Sequence, residues 1–194
     1  MGTVVSSASM SLDGFVAHLD DTPGALFDWY DSGDVEVRTT LPELTFHLTP
    51  QSADHWTAWL AELGALVVGR RLFDLTDGWG GRHPLGVPVV VVTHSPPTDW
   101  AHAGPSTEFA GDVASAVARA QQLAGDAAVG LAAGTVASQA LELGLLDEVA
   151  IDLVPVVLGA GRPYFTGGTH ALLGDPVTTV QGDRVTHLRF RVRR

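Results

Sequence analysis

The sequence predicts an α/β protein with a mostly parallel central sheet, helices on both faces and a C-terminal antiparallel hairpin. Three observations predict it. The apolar runs Ala65–Gly69, Val87–Thr93, Ala127–Ala132 and Val149–Val157 have the character of strands buried on both faces. Segments with helical spacing of apolar residues separate several of them, which implies parallel βαβ units. The tail changes pattern: Val177–Val180 and Val185–Val192 flank a Gly182-Asp183 turn signal, which implies a closing hairpin.

In chain order, Thr3–Ala8 is a short β-prone run that leads into a polar loop with Asp13-Gly14. Residues 18–34 are rich in Asp, Gly and Pro and read as loop. Leu44–Leu48 is a short strand candidate. Pro50 precedes a helix with Ser52 as its cap and Ala53–Leu63 as its body. Asp112 caps a helix in which Val113, Ala116, Val117, Ala120 and Ala124 share one face. Val136, Ala137, Ala140, Leu141 and Leu143 mark the next helix, stopped by Gly144. In the final strand Leu188, Phe190 and Val192 alternate with His187, Arg189 and Arg191, whose charges are expected to face water. No repeat, low-complexity stretch or linker divides the chain, so residues 1–194 are expected to form one domain.

Composition narrows the function. The formal charge is −11, from 22 acidic and 11 basic residues. Such a surface repels phosphate-rich partners, so neither nucleic acid nor an anionic membrane is expected. Every basic residue other than histidine is arginine, which excludes Schiff-base and P-loop lysines. The chain has no cysteine, which excludes disulfides, thiolate catalysis and Cys-ligated metals. The opening MGTVVSSASMSLDGF lacks a basic start and a long apolar core, so it is not expected to be a signal peptide. No apolar run is long enough to span a membrane, and a cytoplasmic location is expected.

Common catalytic signatures are absent. There is no GxxxxGK[ST], HExxH or GxSxG, and the eight histidines have no ligand spacing, so no metal is expected. Gly159-Ala160-Gly161 resembles half of a dinucleotide fingerprint, but Tyr164 replaces its third glycine and a proline-rich loop follows. The ends of the buried strands are more informative, because ligands of open α/β sheets bind there. Gly69-Arg70-Arg71 follows one such strand, and an arginine fork suits phosphate. The same pair reads equally well as solvated residues opening a helix. Thr93 follows the next strand and could bond a phosphate or ribose, or simply begin a loop. Ala133-Gly134-Thr135 begins a helix, whose free N–H groups attract anions, as at any such junction. Asp13 beside Gly14 could overhang a cleft or form an Asx turn. Trp79 lies in a Gly-rich loop, as core or as a stacking surface for a flat ring.

These pieces occur in a familiar order. SMSLDGF, GRRLFD and PVVVVTH, followed by ALELGLLDEVAIDLVPVVLGAGRPYF and VTHLRFRV, resemble the dihydrofolate-reductase-like family. They are most similar to the reductase domain of the riboflavin-biosynthesis deaminase-reductase and its stand-alone relatives. The resemblance covers nearly the whole chain outside residues 20–50. It implies an NADPH-dependent reductase acting on a small pterin-like or pyrimidine-like substrate, and a homodimer. It assigns Gly69, Arg70, Arg71 and Thr93, with Ala133, Gly134 and Thr135, to the cofactor. It assigns Asp13 and Gly14 to the nicotinamide and substrate cleft, and Pro155, Leu158, Gly159 and Gly161 to the far side of that cleft. Asp13 is the expected catalytic residue, orienting substrate or passing a proton through water, and Trp79 is an expected substrate contact. Two departures stand out: Leu72 where relatives commonly place Thr, and Ala132-Ala133 where they usually have Gly-Gly. They leave open a nucleotide-binding protein without turnover, or a flavin-binding variant.

Overall fold

Parallel strands need crossover connections, and here helices supply them except between the strands Val89–Val92 and Thr107–Ala110, which a loop joins. The computed structural model describes residues 2–41, 43–168 and 170–193. Its strands are β1 (Val4–Ser11), β2 (Phe15–Ala17), β3 (Val35–Arg38), β4 (Thr45–Leu48), β5 (Leu63–Gly69), β6 (Val89–Val92), β7 (Thr107–Ala110), β8 (Ala128–Leu131), β9 (Glu148–Val154), β10 (Arg162–Pro163), β11 (Leu173–Gln181) and β12 (Thr186–Val192). Its helices are α1 (Pro50–Glu62), α2 (Arg70–Leu75), α3 (Val113–Ala124) and α4 (Thr135–Glu142), with 3-10 segments at Gly24–Tyr30 and Asp77–Gly81.

One eight-stranded sheet dominates, in the order β11-β12-β9-β1-β8-β5-β6-β7. From β9 to β7 all neighbours run parallel, and β12 and β11 close the other side antiparallel. Consecutive residues of a strand face opposite sides. Ala65 and Val67 of β5 therefore pack with Val113, Ala116 and Val117 of α3 and Val136 of α4. Val68 packs on the other face with Phe73 of α2. A third cluster joins Leu26, Trp29, Phe46 and Leu48 to Ala53 of α1 and Val154 of β9. The expected mostly parallel sheet, helices on both faces and closing hairpin are all present.

Three local expectations change. Helix α1 starts earlier than its pattern suggests: Thr49 is its N-cap, Pro50 opens it, and Thr49 Oγ1 accepts from Ser52 N at 3.4 Å. Ser52 therefore lies inside the first turn and is fully buried. The stretch read as loop contains the 3-10 segment Gly24–Tyr30, which buries Leu26 and Trp29. The charged side of β12 does not simply face water. His187 is completely buried, and Arg189 pairs with Glu62 and Glu148 while its guanidinium lies 5.5 Å from the Trp59 ring centre. Helix α1 covers that side of the strand at His187 and Arg189, which meet partners there, while Arg191 stays exposed.

Candidate active site

Because six strands run parallel, their carboxyl ends reach one edge of the sheet. The loops after β1, β5, β6, β8 and β9 therefore bring together Leu12–Gly14, Arg70-Arg71, Thr93, Ala132–Gly134 and Pro155–Gly161.

Two strand-exit loops are clasped by Asp13. Its carboxylate accepts from Leu158 N at 3.1 Å and Gly159 N at 2.7 Å, and from Ser11 Oγ at 2.6 Å. Ser11 Oγ in turn accepts from Phe15 N at 2.9 Å. The Ser11 hydroxyl first, then the two amides, hold the Asp13 pKa below its usual range, so the group is anionic at neutral pH. Leu12 N reinforces the clasp by donating to Val156 O at 2.8 Å. Gly161 must be glycine at this crossing, because a Cβ there would lie 2.3 Å from Ala17 O.

A second knot lies at residue 164. Tyr164 N donates to Gly14 O at 2.9 Å, and Tyr164 O accepts from Gly134 N at 2.7 Å. The buried Tyr164 hydroxyl bonds Ser6 Oγ and Ala150 O, each at 3.0 Å. Gly134 has φ +81 and caps α4, so its N–H serves the fold and the first turn of α4 supplies the open donors at this junction. Ala132 and Ala133 pack against two different apolar clusters, and Leu72 also packs toward the core, beside Phe73.

Arg70 and Arg71 line an open cleft of about 460 Å³ with Asp21, Asp74 and Leu75. Arg70 Nε donates to Asp74 Oδ1 at 2.7 Å, and its Nη1 bonds the Ser95 carbonyl. That second bond connects the loops after β5 and β6, and within the latter Ser95 N donates to Thr93 Oγ1 at 3.2 Å. Arg71 Nε donates to Asp21 Oδ1 at 2.8 Å, and Arg162 Nε donates to the same oxygen at 2.9 Å. Asp21 and Arg162 are site residues that sequence reading missed, because nothing in DDTPG marks Asp21 as a partner of distant arginines.

Trp79 does not join the Asp13 loops through any contact described. It has φ +52, packs with the Phe73 cluster, and meets the His83 ring at 4.3 Å between centroids. Burial lowers the His83 pKa to about 4.

A separate polar centre lies under α1. His187 Nδ1 is 2.6 Å from Asp152 Oδ1, and its Nε2 is 2.9 Å from Ser52 Oγ. Trp29 Nε1 donates to Ser9 Oγ nearby at 3.1 Å. Burial, and then His187, depress the pKa of His55, whose ring stacks on His187 at 4.4 Å. His55, Asp152 and His187 each bring one ligand atom within 4.8 Å of the others, the one such group among the described residues. Both His187 nitrogens already have partners, and near-parallel rings aim their nitrogens side by side rather than at one point.

The family model for the RibD C-terminal domain matches residues 2–188. The chain belongs to this family. RibD C-terminal domains are reductase-type domains, in agreement with the expected resemblance. Among solved structures, the chain is similar to a protein assigned to riboflavin biosynthesis from Shewanella sp. PV-4. That match has TM-score 0.72 and 18% identity, and covers 99% of each chain. Two forms of Acinetobacter baumannii RibD match with TM-scores of 0.63 and 0.62 and identities of 16% and 15%. Each covers all of this chain, which spans 58% and 59% of those RibD chains. At these identities the likeness speaks to the fold. Comparison with curated proteins finds no match. No helix among the described residues is long and apolar enough to cross a membrane.

Proposed function

We propose that this RibD C-terminal domain is an NADPH-dependent reductase acting on a small pterin-like or pyrimidine-like substrate. The observation that carries the reading is the arginine-lined cleft at the same sheet edge as the Asp13 clasp. The donor set suits a phosphate-bearing dinucleotide: two guanidiniums, the Thr93 hydroxyl and the first turn of α4. The inward packing of Leu72, Ala132 and Ala133 removes much of the objection raised by those departures.

NADPH supplies the hydride when bound. The chain's own part is to orient and to exclude water. Arg70 and Arg71 anchor phosphate, Thr93 offers a hydroxyl, and Gly14, Pro155, Leu158, Gly159 and Gly161 shape the walls of the reaction cleft. Asp13 holds the two walls at fixed separation, and its anionic state makes it an orienting group rather than a proton donor. The proton then comes from a positioned water or another group on the substrate side. The protein acts in the cytoplasm as a homodimer, which sedimentation would check.

The same bonded state of Asp13 favours one second reading, a nucleotide-binding protein without turnover. Calorimetric titration with NADPH, followed by oxidation assays across a pterin and pyrimidine panel, separates the two. Binding with oxidation is the expected outcome. Binding without oxidation on every substrate favours the second reading, and no binding at millimolar NADPH removes both.

A further inference from the structure

Asp21 occupies an unusual position for a loop residue. Its backbone has φ +70, a left-handed conformation that costs a non-glycine residue free energy. A tight turn holds it there. His18 N donates to Thr22 O at 2.9 Å, Asp21 N donates to His18 O at 3.0 Å, and Asp20 Oδ1 accepts from Thr22 N and Thr22 Oγ1. The result is a carboxylate only 11% exposed, set between Arg71 from the β5–α2 junction and Arg162 from β10.

The pairing takes one of the two bidentate edges that Arg71 can offer an anion. Asp21 holds Nε and Nη2 of Arg71, a pair of parallel donors with which a guanidinium can grip a carboxylate or a phosphate. Arg71 cannot present that fork to a ligand while it holds Asp21. Arg162 divides its donors between Asp21 and the Leu19 carbonyl. The cleft as a whole is also balanced, with Arg70 and Arg71 facing Asp21 and Asp74.

We propose that Asp21 is a resident counter-anion which a phosphate-bearing ligand must displace from Arg71 and Arg162, and which thereby sets how strongly the cleft takes phosphate. The inference rests on the reading of this cleft as the cofactor's phosphate site. It adds a residue that controls affinity without needing to touch the reacting atoms. The hydrogen bond from Arg71 holds the Asp21 pKa down to about 2, so Asp21 remains a charged competitor throughout the working pH range.

The test is calorimetric titration of the full chain and its Asp21→Asn variant with two probes, NADPH and inorganic pyrophosphate. Asparagine tolerates the left-handed conformation, and Asp21→Gly serves as a second variant if the first unfolds. Removing the competing charge is expected to tighten both probes about tenfold, the scale of one freed charge-assisted hydrogen bond. Unchanged or weaker binding of both probes to the variants overturns the proposal, because Asp21 would then be positioning Arg71 and not blocking it. If wild type binds NADPH but the variants bind it no tighter, the proposal falls and the cofactor reading stands. If NADPH binds neither protein while pyrophosphate tightens, the cofactor reading falls and the proposal stands. If neither probe binds any of the proteins, both fall.

Discussion

Asp152 lies in β9 and Asp13 follows the neighbouring strand β1, yet they do different work. Asp152 sits within β9, is 9% exposed, and bonds a histidine that is itself completely buried. Asp13 lies just beyond β1 in water and bonds two backbone amides of the next loop. A buried polar group without a partner loses its hydration and gains nothing in return. The centre under α1 must therefore be satisfied for the chain to fold. A rim carboxylate can lose a bond to protein and regain one to water. Polarity under α1 should thus be read in stability, and polarity at the edge in ligand binding and turnover.

Substitutions can break that contrast. Asp152→Ala leaves buried His187 Nδ1 without its partner and is expected to lower unfolding free energy by about 3 kcal/mol. Urea titration measures it, and a loss below about 1 kcal/mol would put Asp152 among the rim groups. Trp29→Phe removes the bond to Ser9 and leaves a void in the cluster, for an expected loss of about 2 kcal/mol. Ser52→Ala deletes one bond to His187 and should cost about 1 kcal/mol by the same titration.

At the rim the readout changes. Asp13→Asn keeps the size but offers an NH2 where one amide needs an acceptor. Turnover should fall about tenfold through loosened loop geometry, with NADPH affinity within about twofold. Wild-type turnover in that variant would sever Asp13 from the reaction. The smallest effect is thermodynamic and appears only in acid. Asp21 has its pKa lowered from 3.8 to about 2. Its contribution is complete above the unfolded value and is lost as pH falls through the folded one. Urea midpoints from pH 5 to pH 2 should therefore drop less steeply for Asp21→Asn than for wild type.

Much of the fold was legible because its signals are local. ALVVG, VVVVT and AVGL read as buried strands without reference to any partner, and Asp112 caps α3 by accepting from Ser115 N at 2.8 Å, three residues away. The exit-loop candidates followed from those strands, since a parallel sheet collects its carboxyl ends. What escaped depends on distant partners. Thr107–Ala110 is too short and mixed to announce the edge strand β7. His187 looked solvent-facing because β12 alternates, and its burial comes from Ser52, 135 residues earlier. Asp21 meets Arg162 across 141 residues, so no window of sequence contains the pair.

The position of β1 bears on how the chain is made. It precedes the other strands of its sheet, yet its partners are β8 and β9, more than a hundred residues later. Until Val129 and Gly130 of β8 have emerged, Val4 and Val5 have no strand to pair with, and the Asp13 clasp waits for Gly159. Domains rich in such distant pairings fold slowly and expose apolar strands meanwhile. The β1 segment is therefore exposed while the chain up to β8 is made, and slowed translation between them would lengthen that exposure.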